Sequence, residues 1–235
     1  MAGPEVYRAI LTVHDFFHYV SREMKTASVE PYINSTALMY ALNAPHRREA
    51  ARLAAGLTPH YREDLSIFTV YATPAVEYPA GPRIVGGAPL RVDIGGEVVK
   101  LTYNSVDETL AVSMETARRL NVPKQGAYYK YTPLTTFKFY TVGGRGPGLI
   151  RIGKKLAPAR VSYIRLECSR RSGVFSPSHP VSLVDLDGYK VLGGVWVNIP
   201  PYPILVDAAL RGDYFDCGGE KVIVPPPRVY VNVKP

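Results

Sequence analysis

The apolar residues in the second half of this chain recur at every other position. Between Thr135 and Val142, Phe137 and Phe139 alternate with Lys138 and Tyr140, a period of two that fits an extended strand and not a helix. Ile150-Arg151-Ile152 repeats the pattern, and Val229, Val231 and Val233 repeat it again against Arg228, Tyr230 and Asn232. The alternation predicts strands there, with Lys138, Tyr140 and Arg151 on exposed faces and a last strand over 228–233.

The first half is mixed. A β-branched, apolar run predicts a strand over 6–20. Leu38, Ala41 and Leu42 then share one helical face behind Asn34-Ser35, a pair suited to capping, so a helix is predicted over 35–57. Pro45 should interrupt it, because a residue before proline is pushed out of helical geometry, and a second short helix over 47–56 would end on Gly56. A strand over 65–71 stops before Pro74. Gly81-Pro82, Gly86-Gly87 and Gly95-Gly96 mark turns within 78–100, which predicts an inserted hairpin region. Ser105-Val106-Asp107-Glu108 is a capping box opening a helix that Pro123 closes, with Leu110, Met114, Ala117 and Leu120 on its apolar face. The order implies an α+β fold, an antiparallel sheet carrying helices on one face, built as a single domain over 1–235.

Charge is unevenly spread. The window 124–171 holds eleven Lys and Arg against one acid, Glu167, a net +10, while the whole chain carries +8, so everything outside it sums to −2. Interleaved are Tyr128, Tyr129, Tyr131, Tyr163 and the glycine loop Gly143-Gly144-Arg145-Gly146-Pro147-Gly148. Cations, flat rings and backbone that can approach a phosphate closely are the ingredients of a nucleic-acid surface. The candidate RNA contacts are Lys138, Tyr140, Gly143, Gly144, Arg145, Arg151, Lys154, Lys155, Arg160, Arg170 and Arg171. Tyr140 is the best-placed ring for stacking a base. A basic face meeting acidic protein, in a structural connector, is the alternative.

Other classes are disfavoured. No apolar run is long enough to cross a bilayer and the N-terminus lacks a signal-peptide pattern, so a cytoplasmic protein is expected. No G-x-S-x-G, Walker A or H-E-x-x-H pattern is present, and no cofactor is implied. Cys168 and Cys217 are too few for a disulfide scaffold and lack zinc spacing, which predicts two small buried thiols. His14 and His18 are four apart in a predicted strand and so make no metal pair, and Asp185 with Asp187 reads as a turn feature around Gly188. A single glutamine and proline-rich loops suit a thermophile.

Five segments together carry a resemblance. They are Pro31-Tyr32-Ile33-Asn34-Ser35-Thr36-Ala37-Leu38-Met39-Tyr40-Ala41-Leu42; His60-Tyr61-Arg62-Glu63-Asp64-Leu65 running into Tyr71-Ala72-Thr73-Pro74-Ala75; Thr102-Tyr103-Asn104-Ser105; Pro133-Leu134-Thr135-Thr136-Phe137-Lys138-Phe139-Tyr140; and Arg151-Ile152-Gly153-Lys154-Lys155. In this order the chain resembles the 5′-handle-binding subunit of type I-D CRISPR effector complexes, of the RAMP superfamily. The resemblance implies a ferredoxin-like, RRM-type sheet with an inserted β-hairpin thumb at 78–100. It further implies a non-catalytic subunit that holds the repeat-derived 5′ end of the guide RNA and joins the backbone and large subunits in antiviral defence. Target DNA beside the PAM is a further candidate partner. The catalytic alternative is metal-independent cleavage of the repeat RNA, for which His179, Lys138 and Tyr140 would have to supply base, cation and acid.

Overall fold

The computed structural model describes residues 4–19, 26–27, 29–43, 60–78, 83–85, 88–90, 98–103, 126–153 and 156–234. The predicted helices over 47–56 and 105–120, and Lys154 and Lys155, lie outside them. Strands dominate: β1 (Val6–Val13), β2 (Thr26–Ala27), β3 (Tyr32–Ile33), β4 (Tyr71–Ala72), β5 (Ala75–Glu77), β6 (Arg83–Val85), β7 (Ala88–Leu90), β8 (Val98–Tyr103), β9 (Gly126–Tyr131), β10 (Thr136–Val142), β11 (Leu149–Ile152), β12 (Ala157–Leu166), β13 (Ser169–Phe175), β14 (Val181–Ser182), β15 (Lys190–Val197), β16 (Ile204–Cys217) and β17 (Glu220–Ile223). One α-helix, α1 (Ser35–Asn43), and two 3-10 turns, Asp64–Ile67 and Leu183–Leu186, complete the described elements.

Seven strands form the main sheet in the order β11-β12-β1-β10-β5-β3, with β4 also on β10. Every pairing in it is antiparallel. Period-two alternation gives it one fully apolar face, on which Ala9, Leu11, Phe137, Phe139 and Val161 are buried. Phe137 meets Phe17 and Tyr131 edge-on there. Helix α1 covers part of this face through Leu38, Met39 and Leu42. Asn34 caps it as the sequence predicts: Oδ1 accepts from the Thr36 amide at 3.1 Å. At the other end of α1 the Asn43 amide group donates to the Met39 and Val70 carbonyls, while its Oδ1 accepts from the Thr69 and Val70 amides.

A second, five-stranded sheet is organised around the long strand β16, flanked by β13 and β14 on one side and β15 and β17 on the other. It packs on one end of the main sheet and shares its core. Strands β2, β9 and β8 form a three-stranded sheet and β6–β7 an isolated antiparallel pair within the predicted insertion.

Several expectations are corrected. Strand β1 ends at Val13, where His14 and Asp15 bend away and the Asp15 carboxylate accepts from the Phe16 amide. The predicted strand over 65–71 is a 3-10 turn followed by the two-residue β4. The alternating valines near the C-terminus form turns, with Tyr230 and Val233 buried and Val231 exposed: the Val229 and Tyr230 amides donate to the Pro226 carbonyl and the Val233 amide to the Tyr230 carbonyl, so these donors are spent within the segment. Cys168 and Cys217 are joined in a disulfide, which fastens the link between β12 and β13 to the end of β16. Asp187 and Asp185 do lie in the turn leading to Gly188, but Asp185 does more than the sequence predicts. It is fully buried, accepts from the Tyr71 hydroxyl at 2.9 Å and from the Tyr230 hydroxyl, and so ties β4, the second 3-10 turn and the C-terminal segment together.

Candidate nucleic-acid interface

Registration of the main sheet determines which cations meet. Residues directly opposite one another share a face, and the pairs Leu149↔Arg160 and Arg151↔Pro158 put Arg151 and Arg160 together. Arg160 lies opposite Thr12, and Thr12 opposite Thr136; Ser162 lies opposite Ile10, and Ile10 opposite Lys138; Ile164 lies opposite Arg8, and Arg8 opposite Tyr140. Arg151, Arg160 and Lys138, 22 positions apart in sequence at the extremes, thus stand on one face, the one opposite the apolar core. Leu149, Arg151, Arg160, Ser162 and Ile164 are exposed on it, and Thr12, Ile10, Arg8 and Lys138 are partly so.

Part of that face is closed. The β16–β17 turn brings Glu220 over it, where the Tyr140 hydroxyl donates to Oε1 at 2.8 Å and Arg8 Nη1 lies 3.3 Å from the same oxygen. Tyr140 is therefore fully buried, not exposed as its alternation predicts, and burial followed by the Glu220 hydrogen bond drives its ionisation far up. It cannot stack a base. The exposed ring beside Lys138 is Tyr78, 43% accessible, with the ammonium 5.6 Å from its centroid. Tyr78 was not among the predicted contacts, and neither were Arg8, Ser162 and Ile164. The Arg8-Ile10-Thr12 alternation in β1 was the signal that could have found two of these rows.

The remaining candidates are elsewhere. In the glycine loop the Gly143 amide donates to the Glu5 carbonyl at 3.0 Å, and a Cβ on Gly143 would stand 2.9 Å from Val233 and 3.0 Å from the Thr69 carbonyl. Its positive φ of 85° serves close packing against the C-terminal segment. Gly144 sits beside the Glu5 carboxylate and Gly146 against Leu42, so this loop is packed inward and only Arg145 and Gly148 are exposed. Arg170 and Arg171 lie on β13 and are ion-paired with Asp213 at 2.7 Å and Asp216 at 3.3 Å, acids distant in sequence that the adjoining strand delivers. Arg170 holds the Asp213 carboxyl below its usual range. Tyr131 is buried with its hydroxyl on Glu77, and Tyr163 reaches the Pro147 carbonyl.

His179 does approach Tyr140, at 5.6 Å between ring centroids, with Lys138 next to it. Its nitrogens are occupied. Nδ1 is 2.7 Å from the Pro180 carbonyl and Nε2 accepts from the Ile223 amide, while burial lowers its pKa to about 4. A neutral imidazole with both nitrogens committed has no lone pair to offer a 2′-hydroxyl. Among the described residues no group of three His, Cys, Asp or Glu side chains is arranged to hold a metal, and no helix is long and apolar enough to cross a membrane.

Comparison with known proteins adds three findings. No curated protein matches the sequence. Two solved structures resemble the chain at low identity. One is a chain in the cryo-EM structure of a type III-B Cmr-β complex bound to cognate target RNA and AMPPnP, with a TM-score of 0.49, 9% identity and coverage of 87% of this chain and 86% of that one. The other is the crystal structure of a CRISPR protein from Archaeoglobus fulgidus, with a TM-score of 0.39, 10% identity and coverage of 94% and 100%. The sequence model of the type I-D CRISPR-associated protein Cas5/Csc1 family matches residues 4–232, and the chain belongs to that family.

Proposed function

We propose that this protein is the non-catalytic subunit of a type I-D CRISPR effector complex that grips the 5′ handle of the guide RNA on the open face of its main sheet. The observation carrying this reading is the register that gathers Arg151, Arg160 and Lys138 beside exposed Tyr78. Three cations along one face can track successive phosphates, and Tyr78 offers a ring to an unstacked base. Lys154 and Lys155 follow Arg151 in sequence and extend the same basic run. The antiparallel order β12-β1-β10-β5, with α1 between β1 and β5 in the chain, supports a ferredoxin-like core, although β11 rather than a helix stands between β10 and β12 among the described residues. The paired β6 and β7 are consistent with a thumb over 78–100 that contacts neighbouring subunits. The ion-paired Arg170 and Arg171 and the inward-packed glycine loop are secondary in this reading.

The test is a titration of single-stranded repeat RNA at several salt concentrations. Replacing Lys138, Arg151 and Arg160 by alanine should weaken binding and flatten the dependence of log affinity on log salt by about 0.7 per lost phosphate contact, about 2 in all. Unchanged affinity and slope in a folded triple variant overturns the assignment.

A further inference from the structure

The second sheet carries an exposed surface that RNA binding does not use. Strand β15 pairs only with β16, so its outer edge has no neighbour among the described strands. Along it Val191, Leu192, Val195 and Trp196 are 39%, 44%, 60% and 48% accessible. Adjacent side chains of a strand point to opposite faces, so with Val195 and Trp196 both open, the strand is bare on both sides as well as along its edge. The pairing with β16 is irregular on either side of Gly193, but the apolar side chains along the edge stay exposed, a liability that proteins normally blunt with charge or cover.

This strand is held firmly. The segment after it is fastened by the Asn34 side-chain amide, which donates to the Ile199 carbonyl at 3.1 Å and the Tyr202 carbonyl at 2.8 Å. Gly194 packs so closely that a Cβ there would lie 2.8 Å from Leu205. The apolar residues are thus displayed on a fixed frame, which reduces the ordering cost of association. At the start of β15, Lys190 stands directly opposite Arg211, both exposed, and neither has an ion-pair partner among the described residues. Like charges facing across a ladder are unfavourable. Elsewhere on this sheet each exposed arginine of β13 is ion-paired with its own aspartate; here no described residue supplies the acid.

We infer that β15 is a docking strand for another protein subunit of the effector complex, one whose apolar groove receives the strand edge with Val195 against one wall and Trp196 against the other, and which presents a carboxylate to Lys190 and Arg211. This rests on the chain being an effector subunit. A central aromatic anchor with a charged margin is the usual composition of such a contact, and the missing acid makes a protein surface with a carboxylate the complementary occupant.

The experiment is assembly of the full complex from this chain, its guide RNA and its co-encoded protein subunits, with pairwise affinities measured for the wild type and two variants. Val195→Ser with Trp196→Ala should weaken binding to one protein subunit at least tenfold, and Lys190→Glu with Arg211→Glu should do the same with a loss of salt dependence. Both should keep the wild-type circular dichroism and RNA affinity, since all four side chains are at the surface. Wild-type assembly by both folded variants overturns the inference, as does a fall in RNA affinity, which assigns the strand to nucleic acid, or a wild-type homodimer that the variants dissociate, which assigns it to a second copy. Failure of the wild type itself to join the complex overturns the effector-subunit reading and this inference with it.

Discussion

Opening the Cys168–Cys217 disulfide should lower stability without altering the fold. The two cysteines are 49 residues apart, and in the chain-entropy description a cross-link closing a loop of that size destabilises the unfolded state by about 4 kcal/mol. That is a large share of the roughly 5–15 kcal/mol that keeps a domain folded. Little compensates locally: Arg170–Asp213 and Arg171–Asp216 flank the bridge, but both are exposed, and such pairs contribute about 0–1 kcal/mol. The native geometry should nonetheless persist, because the seven-residue pairing of β13 on β16 begins at Ser169↔Asp216, directly beside the bridge, and keeps the ends together. For a chain of this size each kcal/mol shifts the melting temperature by roughly 2–4 °C, so reduction should lower it by roughly 8–16 °C. Thermal melts with and without reductant, paired with a thiol count after unfolding, measure this. The double variant Cys168→Ala, Cys217→Ala should melt near the reduced wild type and ignore reductant. Two free thiols in unreduced protein, or an unchanged melting temperature after reduction is confirmed, refutes the reasoning.

Two further predictions concern buried titratable groups. Asp185, whose pKa burial raises to about 7 from 3.8, keeps a proton when folded that the unfolded chain has lost between those values; stability should therefore fall as pH rises from about 4 to 7, by on the order of 1 kcal/mol per unit. Asp185→Asn should remove that component from urea melts at pH 5 and pH 7, and an unchanged pH slope refutes it. His179→Ala should lower stability by about 1–3 kcal/mol by leaving the Ile223 amide unpartnered, while both proteins leave repeat RNA intact in chelator. A discrete cleavage product from the wild type that the variant fails to make refutes the non-catalytic reading.

The sequence makes strand parity legible but not what lies over the second face. The alternation over 135–142 correctly buries Phe137 and Phe139 and leaves Lys138 partly open. It fails at Tyr140 because Glu220, eighty positions away, closes that end of the face through a second sheet. Arg170 and Arg171 look like free cations for the same reason, since the aspartates neutralising them arrive only when β16 pairs with β13. The disulfide was hidden because two cysteines are too few to read as a disulfide scaffold, and nothing local marks a pair that only strand pairing brings to a Cα separation of 4.1 Å. What the basic window did contain was more specific than its charge. Arg151 alternates with buried Ile150 and Ile152, and Arg160 with buried Ala159 and Val161, so each cation was assigned to an outward face by its own neighbours. Only the register of β11 on β12 and of β12 on β1 could say that these outward faces are one and the same. That is why composition suffices to suggest a nucleic-acid surface, while choosing its residues from among eleven cations requires the sheet.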